Sequence, residues 1–108
     1  MEQAVHTKVQ TRADVEQLIR SHTEEIRSFG IEGISLFGSF SRDTEITDVS
    51  DVDFVVDFEP GRTTYDNFAG LADYLEDLLG RDVDLLTRNS LKSESGKRIA
   101  ERAVRISI

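Results

Sequence analysis

Between residues 51 and 58 the chain reads DVDFVVDF. Valine and phenylalanine at this density specify a β-strand. The alternation sorts its side chains, with Val52, Phe54, Val56 and Phe58 on one face and Asp51, Asp53, Val55 and Asp57 on the other. The apolar face must be buried, which calls for a sheet with helices packed mainly on one side. The other face poses a problem. Asp51 and Asp53 point the same way about 6.5 Å apart, and like charges are costly to desolvate without compensation. A divalent cation is the expected compensation.

The rest of the chain alternates helix and strand. Thr11, with Asp14 three residues on, is a capping-box variant that starts a helix. Val15, Leu18, Ile19, His22, Ile26 and Phe29 recur on its apolar stripe, and Gly30 ends it. A strand is predicted over 33–37, a short helix over 39–45, a strand over 51–58 and a helix over 64–79 stopped by Gly80. A third strand over 82–86, a helix over 95–103 and a closing strand over 104–108 follow. The predicted class is α+β, with a small mixed sheet. One domain fills residues 1–108, and residues 1–10 are expected to form a flexible tail.

Composition narrows the partners. A formal net charge of −8 argues against direct nucleic-acid binding, which requires clustered lysine and arginine. The absence of cysteine removes disulfides, thiolate metal sites and cysteine nucleophiles together. No apolar run reaches the ~20 residues that cross a bilayer, and the N-terminus lacks the apolar stretch of a signal peptide. These features predict a cytoplasmic protein without membrane association.

Two further features give the acids a use. In the third strand Asp84 alternates with Val83 and Leu85; if that strand neighbours the second, it adds a third carboxylate to Asp51 and Asp53. Such hard oxygen ligands suit Mg²⁺ or Mn²⁺. Gly38-Ser39 directly follows the first strand, where glycine permits a tight turn and close approach of a ligand. The N–H groups that begin the next helix, with the Ser39 hydroxyl, offer donors to an anion, and Arg42 lies one turn further on. Metal ligands beside phosphate donors describe a site for a metal–nucleoside triphosphate.

These residues carry a family resemblance. Gly38-Ser39-Phe40-Ser41-Arg42, followed by Ser50-Asp51-Val52-Asp53-Phe54-Val55-Val56, resembles the signature of the DNA polymerase β-like nucleotidyltransferases. In its short form it is similar to the minimal nucleotidyltransferases (MNT proteins). Leu79-Gly80-Arg81-Asp82-Val83-Asp84 resembles their third motif. One departure is Asp43, where these proteins usually have glycine; it adds negative charge near the phosphate turn.

The resemblance implies the nucleotidyltransferase fold and a two-metal mechanism. Asp51 and Asp53 would ligate both ions, and Asp84 would hold the catalytic ion and help deprotonate the acceptor hydroxyl. Gly38, Ser39 and Arg42 would bind the phosphates of ATP. MNT proteins are commonly antitoxins paired with HEPN-type ribonuclease toxins, and some transfer AMP from ATP to a tyrosine of the toxin. The implied function is thus a Mg²⁺-dependent antitoxin that adenylylates a HEPN-type partner. The alternatives are an antitoxin that inhibits by binding alone and a transferase acting on a small molecule or an RNA end. At 108 residues the domain leaves no room for a second, acceptor-binding one, which favours a protein partner that presents the hydroxyl.

Overall fold

The computed structural model describes residues 8–108. Its elements are α1 (Arg12–Ser21), α2 (Thr23–Arg27), β1 (Ile31–Phe37), α3 (Ser39–Arg42), β2 (Val52–Phe58), α4 (Tyr65–Leu79), β3 (Val83–Thr87), a 3₁₀ turn (Arg88–Ser90), α5 (Glu94–Arg102) and β4 (Val104–Ile106). The four strands lie in the order β3-β2-β1-β4. β1 is antiparallel to both β2 and β4, whereas β2 and β3 are parallel. The class is α+β with a mixed sheet.

The capping box at Thr11 is formed in both directions. The single helix expected over 12–29 is broken at His22, whose φ of −123° and ψ of 30° leave the helical region. The side chains around it account for the break. Ser21 Oγ donates to Gln17 O, Thr23 Oγ1 donates to Arg20 O, and His22 Nδ1 lies 2.9 Å from Leu18 O. Polar side chains bonded to backbone in this way compete with helix continuation.

β1 begins two residues earlier than the alternation predicts because it carries a bulge between Ile31 and Gly33. A strict two-residue period would set Ile31 and Ile34 on opposite faces. The extra residue brings both into the core.

The core lies between one sheet face and α1, α2 and α4. Val52, Phe54 and Val56 of β2 are fully buried there with Ile34 and Leu36 of β1, Val15 and Ile19 of α1, Ile26 of α2, and Leu71, Leu75 and Leu79 of α4. No side chain of α5 joins this cluster. On the opposite face Ser35 and Val55 are buried at the centre, with Asp53 toward one end of β2 and Asp57 toward the other. Asp57 is paired with Arg88 at 2.7 Å and Arg105 at 3.5 Å.

Of the tail expected over residues 1–10, Val9 is instead packed into the fold. That side chain is only 2% exposed, and its N–H donates to Leu79 O at 3.1 Å. His6 and the other residues before Lys8 lie outside the described chain.

Candidate active site

The topology converges three separate sequence stretches on one end of the sheet. Because β1 and β2 run antiparallel, the last residue of β1, Phe37, pairs with Asp53 at the start of β2. Because β2 and β3 run parallel, Asp53 in turn pairs with Asp84. Paired positions on neighbouring strands lie about 4.8 Å apart with side chains on the same face. Gly38-Ser39, Asp53 and Asp84 therefore meet, although 15 residues and then 31 separate Gly38, Asp53 and Asp84 along the chain.

Gly38 shows how close the approach is. Its φ of 75° and ψ of −156° belong to a region that only glycine occupies readily. A side chain there would run directly into Asp53 Oδ2, with Asp53 Cγ 3.3 Å from the Cβ position. The carboxylate thus fills the space that the missing side chain leaves.

The electrostatics of Asp53 follow from this placement. Partial burial raises its pKa from 3.8 to about 6, and the negative charges of Asp84 and Asp51 push in the same direction. No lysine or arginine forms an ion pair with Asp51, Asp53 or Asp84 among the described residues. An uncompensated group of hard oxygen donors is the environment a divalent cation fits. Among the described residues, no three acidic or histidine side chains stand at metal-ligating distance as they lie. Asp53 and Asp84 form the close pair, and Asp51 is the outlying member. Asp51 precedes the first paired residue of β2, is exposed, and lines a separate cavity of about 430 Å³ with Asp82 and Arg81.

The exposure of Asp84 also differs from what its position inside β3 suggests. It is exposed, and Asp53 is the half-buried member of the pair. β3 is an edge strand, so Asp84 remains open to solvent.

On the phosphate side, α3 is a single turn of four residues, too short for an appreciable helix dipole. Its N–H groups and the Ser39 hydroxyl, which makes no hydrogen bond among the described residues, are local donors only. Asp43 ends α3 in the left-handed conformation, with φ 55° and ψ 35°, a position glycine would fill without strain. Its carboxylate accepts the Arg12 N–H at 2.8 Å. The acid at this departure from the family pattern therefore ties α3 to the start of α1.

Arg81, the sequence neighbour of Asp82, forms no ion pair with it among the described residues. It is 6% exposed, and its guanidinium lies 5.0 Å from the centre of the Phe40 ring. Nε donates to Val9 O at 2.7 Å, and Nη1 donates to Thr47 O and Ser50 O, both at 2.9 Å. It pins the loop that delivers Asp51 and β2. Nothing in its local sequence marks it, because all three acceptors are distant backbone carbonyls.

The comparisons with known proteins identify the family. A family model described as a nucleotidyltransferase domain matches residues 19–106. A protein adenylyltransferase, MntA, of Thermococcus cleftensis is 40% identical over 95 residues, covering 87% of this chain and 94% of that protein. A protein of Methanocaldococcus jannaschii, provisionally named a protein adenylyltransferase, is 34% identical over 85 residues, covering 78% of this chain and 96% of its own. A solved structure provisionally described as a minimal nucleotidyltransferase superposes with a TM-score of 0.69 at 30% identity, covering 94% of this chain and 98% of the other. With the glycine turn, the paired aspartates and a match over most of its length, the chain belongs to the nucleotidyltransferase domain family and is a nucleotidyltransferase of the minimal type.

Proposed function

We propose that this nucleotidyltransferase is a Mg²⁺-dependent adenylyltransferase that moves AMP from ATP to a tyrosine hydroxyl of a HEPN-type ribonuclease toxin, and so acts as its antitoxin. The observation that carries the reading is the pairing of Asp53 with Asp84 directly against Gly38. The relatives named as protein adenylyltransferases support a protein acceptor.

In this reading Asp53 and Asp84, with Asp51 as the outlying third carboxylate, would hold the divalent cation, which would neutralise phosphate charge and favour attack at phosphorus. Gly38 leaves room for the Asp53 carboxylate beside the turn, and Ser39 donates to the phosphate oxygens of the nucleotide. Asp84, the most accessible carboxylate of the close pair, takes the proton as the acceptor oxygen attacks the α-phosphorus. A new oxygen–phosphorus bond forms, the bond to the β-phosphate oxygen breaks, and pyrophosphate leaves.

A binding-only antitoxin draws its support from the acid after Arg42. Engagement of Asp43 with the Arg12 N–H weakens that support. The deciding experiment incubates the protein with its toxin, Mg²⁺ and ATP and weighs the toxin by intact mass spectrometry. A gain of one or more AMP units is expected. A stable but unmodified complex would establish inhibition by binding alone, and modification of an RNA end or a small molecule in place of the toxin would move the acceptor class.

A further inference from the structure

Beyond the paired acids, one cavity stands out by its charge. It encloses about 580 Å³ between the β1–α3 turn and α5, with Gly38 and Arg42 on one wall and Arg98 and Arg102 on the other. Phe37 and Ile99 supply an apolar lining. The volume falls within the ~300–1,000 Å³ usual for small-molecule sites.

Three arginines facing one space need explanation in a chain of net charge −8. Arg12, Arg20, Arg62, Arg88 and Arg105 all form ion pairs with acids. Arg27 and Arg81 donate to backbone carbonyls. Among the described arginines, only Arg42, Arg98 and Arg102 have side chains with neither an ion pair nor a hydrogen bond. α5 also presents an unusual stripe. Positions 95, 98, 99 and 102 face one way on a helix, and here they line the cavity as Ser95, Arg98, Ile99 and Arg102. The face that borders the cavity is thus cationic, with Arg98 and Arg102 exposed and Ile99 half-buried, and α5 adds nothing to the main core. Gly38 links the two sites, since it lines this cavity and also abuts the Asp53 carboxylate.

We infer that this cavity seats the triphosphate of the nucleotide, with Arg98 and Arg102 of α5 joining Arg42 as phosphate-binding residues. The inference rests on the proposed use of a nucleoside triphosphate, and it supplies what the four-residue α3 lacks. Guanidinium groups bind phosphate oxygens in pairs and retain their charge at all working pH values. Phe37 and Ile99 give the less polar part of the nucleotide an apolar surface.

The test titrates the protein with inorganic tripolyphosphate in EDTA, and separately with Mg²⁺–ATP, by calorimetry at low and moderate salt. Without metal, tripolyphosphate binding reports the arginines alone. Arg98→Gln with Arg102→Gln should weaken it at least ~10-fold and flatten its salt dependence. Asp53→Asn should not weaken it. The double lysine variant, Arg98→Lys with Arg102→Lys, keeps the charge and should recover part of the affinity, which excludes a folding defect as the cause. Retained tripolyphosphate and Mg²⁺–ATP affinity in the glutamine variant would overturn the inference while leaving the proposed reaction intact. Arginine-dependent tripolyphosphate binding without any AMP transfer would do the reverse. Loss of toxin binding with unchanged polyphosphate binding would also overturn it and assign the cavity to an acidic segment of the partner.

Discussion

The carboxylate of Asp53 occupies the space that a side chain at Gly38 would need. A turn needed by the backbone and an acid needed by the site have become one steric unit. Gly38→Ala should therefore disturb both. The alanine must adopt a φ of 75° and push Asp53 aside, a strain of about 1–3 kcal/mol. The expected result is a lower midpoint in urea denaturation together with loss of the Mg²⁺-induced rise in melting temperature. Wild-type metal response in Gly38→Ala would show that Asp53 is not held by this contact.

The pKa of Asp53 gives a pH dependence of definite sign. Between 3.8 and about 6 the folded chain keeps a proton that the unfolded chain has released. Its charged form therefore destabilises the metal-free fold above pH 6, and this penalty fades as pH falls from 6 toward 3.8. Solvent reaches the group, so the cost above pH 6 is on the order of 1–2 kcal/mol after screening. Asp53→Asn should raise the melting temperature in EDTA above pH 6, and the gain should shrink toward pH 3.8. The same variant should lose most of the stabilisation that Mg²⁺ gives the wild type. A pH-independent difference between the two proteins would mean that another group governs the titration.

Asp84 and Asp82 separate by register. Asp82 accepts the Val52 N–H through its backbone carbonyl at 3.0 Å, whereas Asp84 pairs with Asp53. Asp84→Asn should cut transfer of AMP by about 10²–10⁴-fold, the range for losing a general base, while nucleotide binding weakens far less. Asp82→Asn should stay within a few-fold of wild type. Single-turnover rates beside ATP affinities would distinguish the two, and reversed phenotypes would refute the register-based assignment.

Arg81 should act as a positioning residue. Arg81→Lys keeps a charge but cannot reach Val9, Thr47 and Ser50 together through one planar fork. Loss of buried, charge-assisted hydrogen bonds costs about 1.5–3 kcal/mol each. The variant should unfold at lower denaturant, and amide exchange over residues 47–52 should quicken. Metal-free tripolyphosphate binding, which lies on the other wall of the site, should persist. Unchanged exchange in that loop would leave Arg81 with a purely stabilising role.

The local elements were legible in the sequence because each depends on near neighbours. The Thr11 capping box, the apolar stripe of α4 and the alternation of β2 are satisfied within a few residues of chain. The acid pattern on β2 and the Gly38-Ser39 turn identified the chemistry for the same reason. Chain pairing decided the remainder. The parallel register that brings Asp84 beside Asp53 joins positions 31 residues apart, and no periodicity in either strand specifies it. The exposure of Asp84 comes from the edge position of β3, and the burial of Arg81 from carbonyls as far away as Val9. The arginine-lined cavity exists only because α5 returns to the β1–α3 turn. Side-chain type and spacing determined which groups this protein has for handling phosphate and metal, whereas strand order and long-range backbone acceptors decided which of them meet.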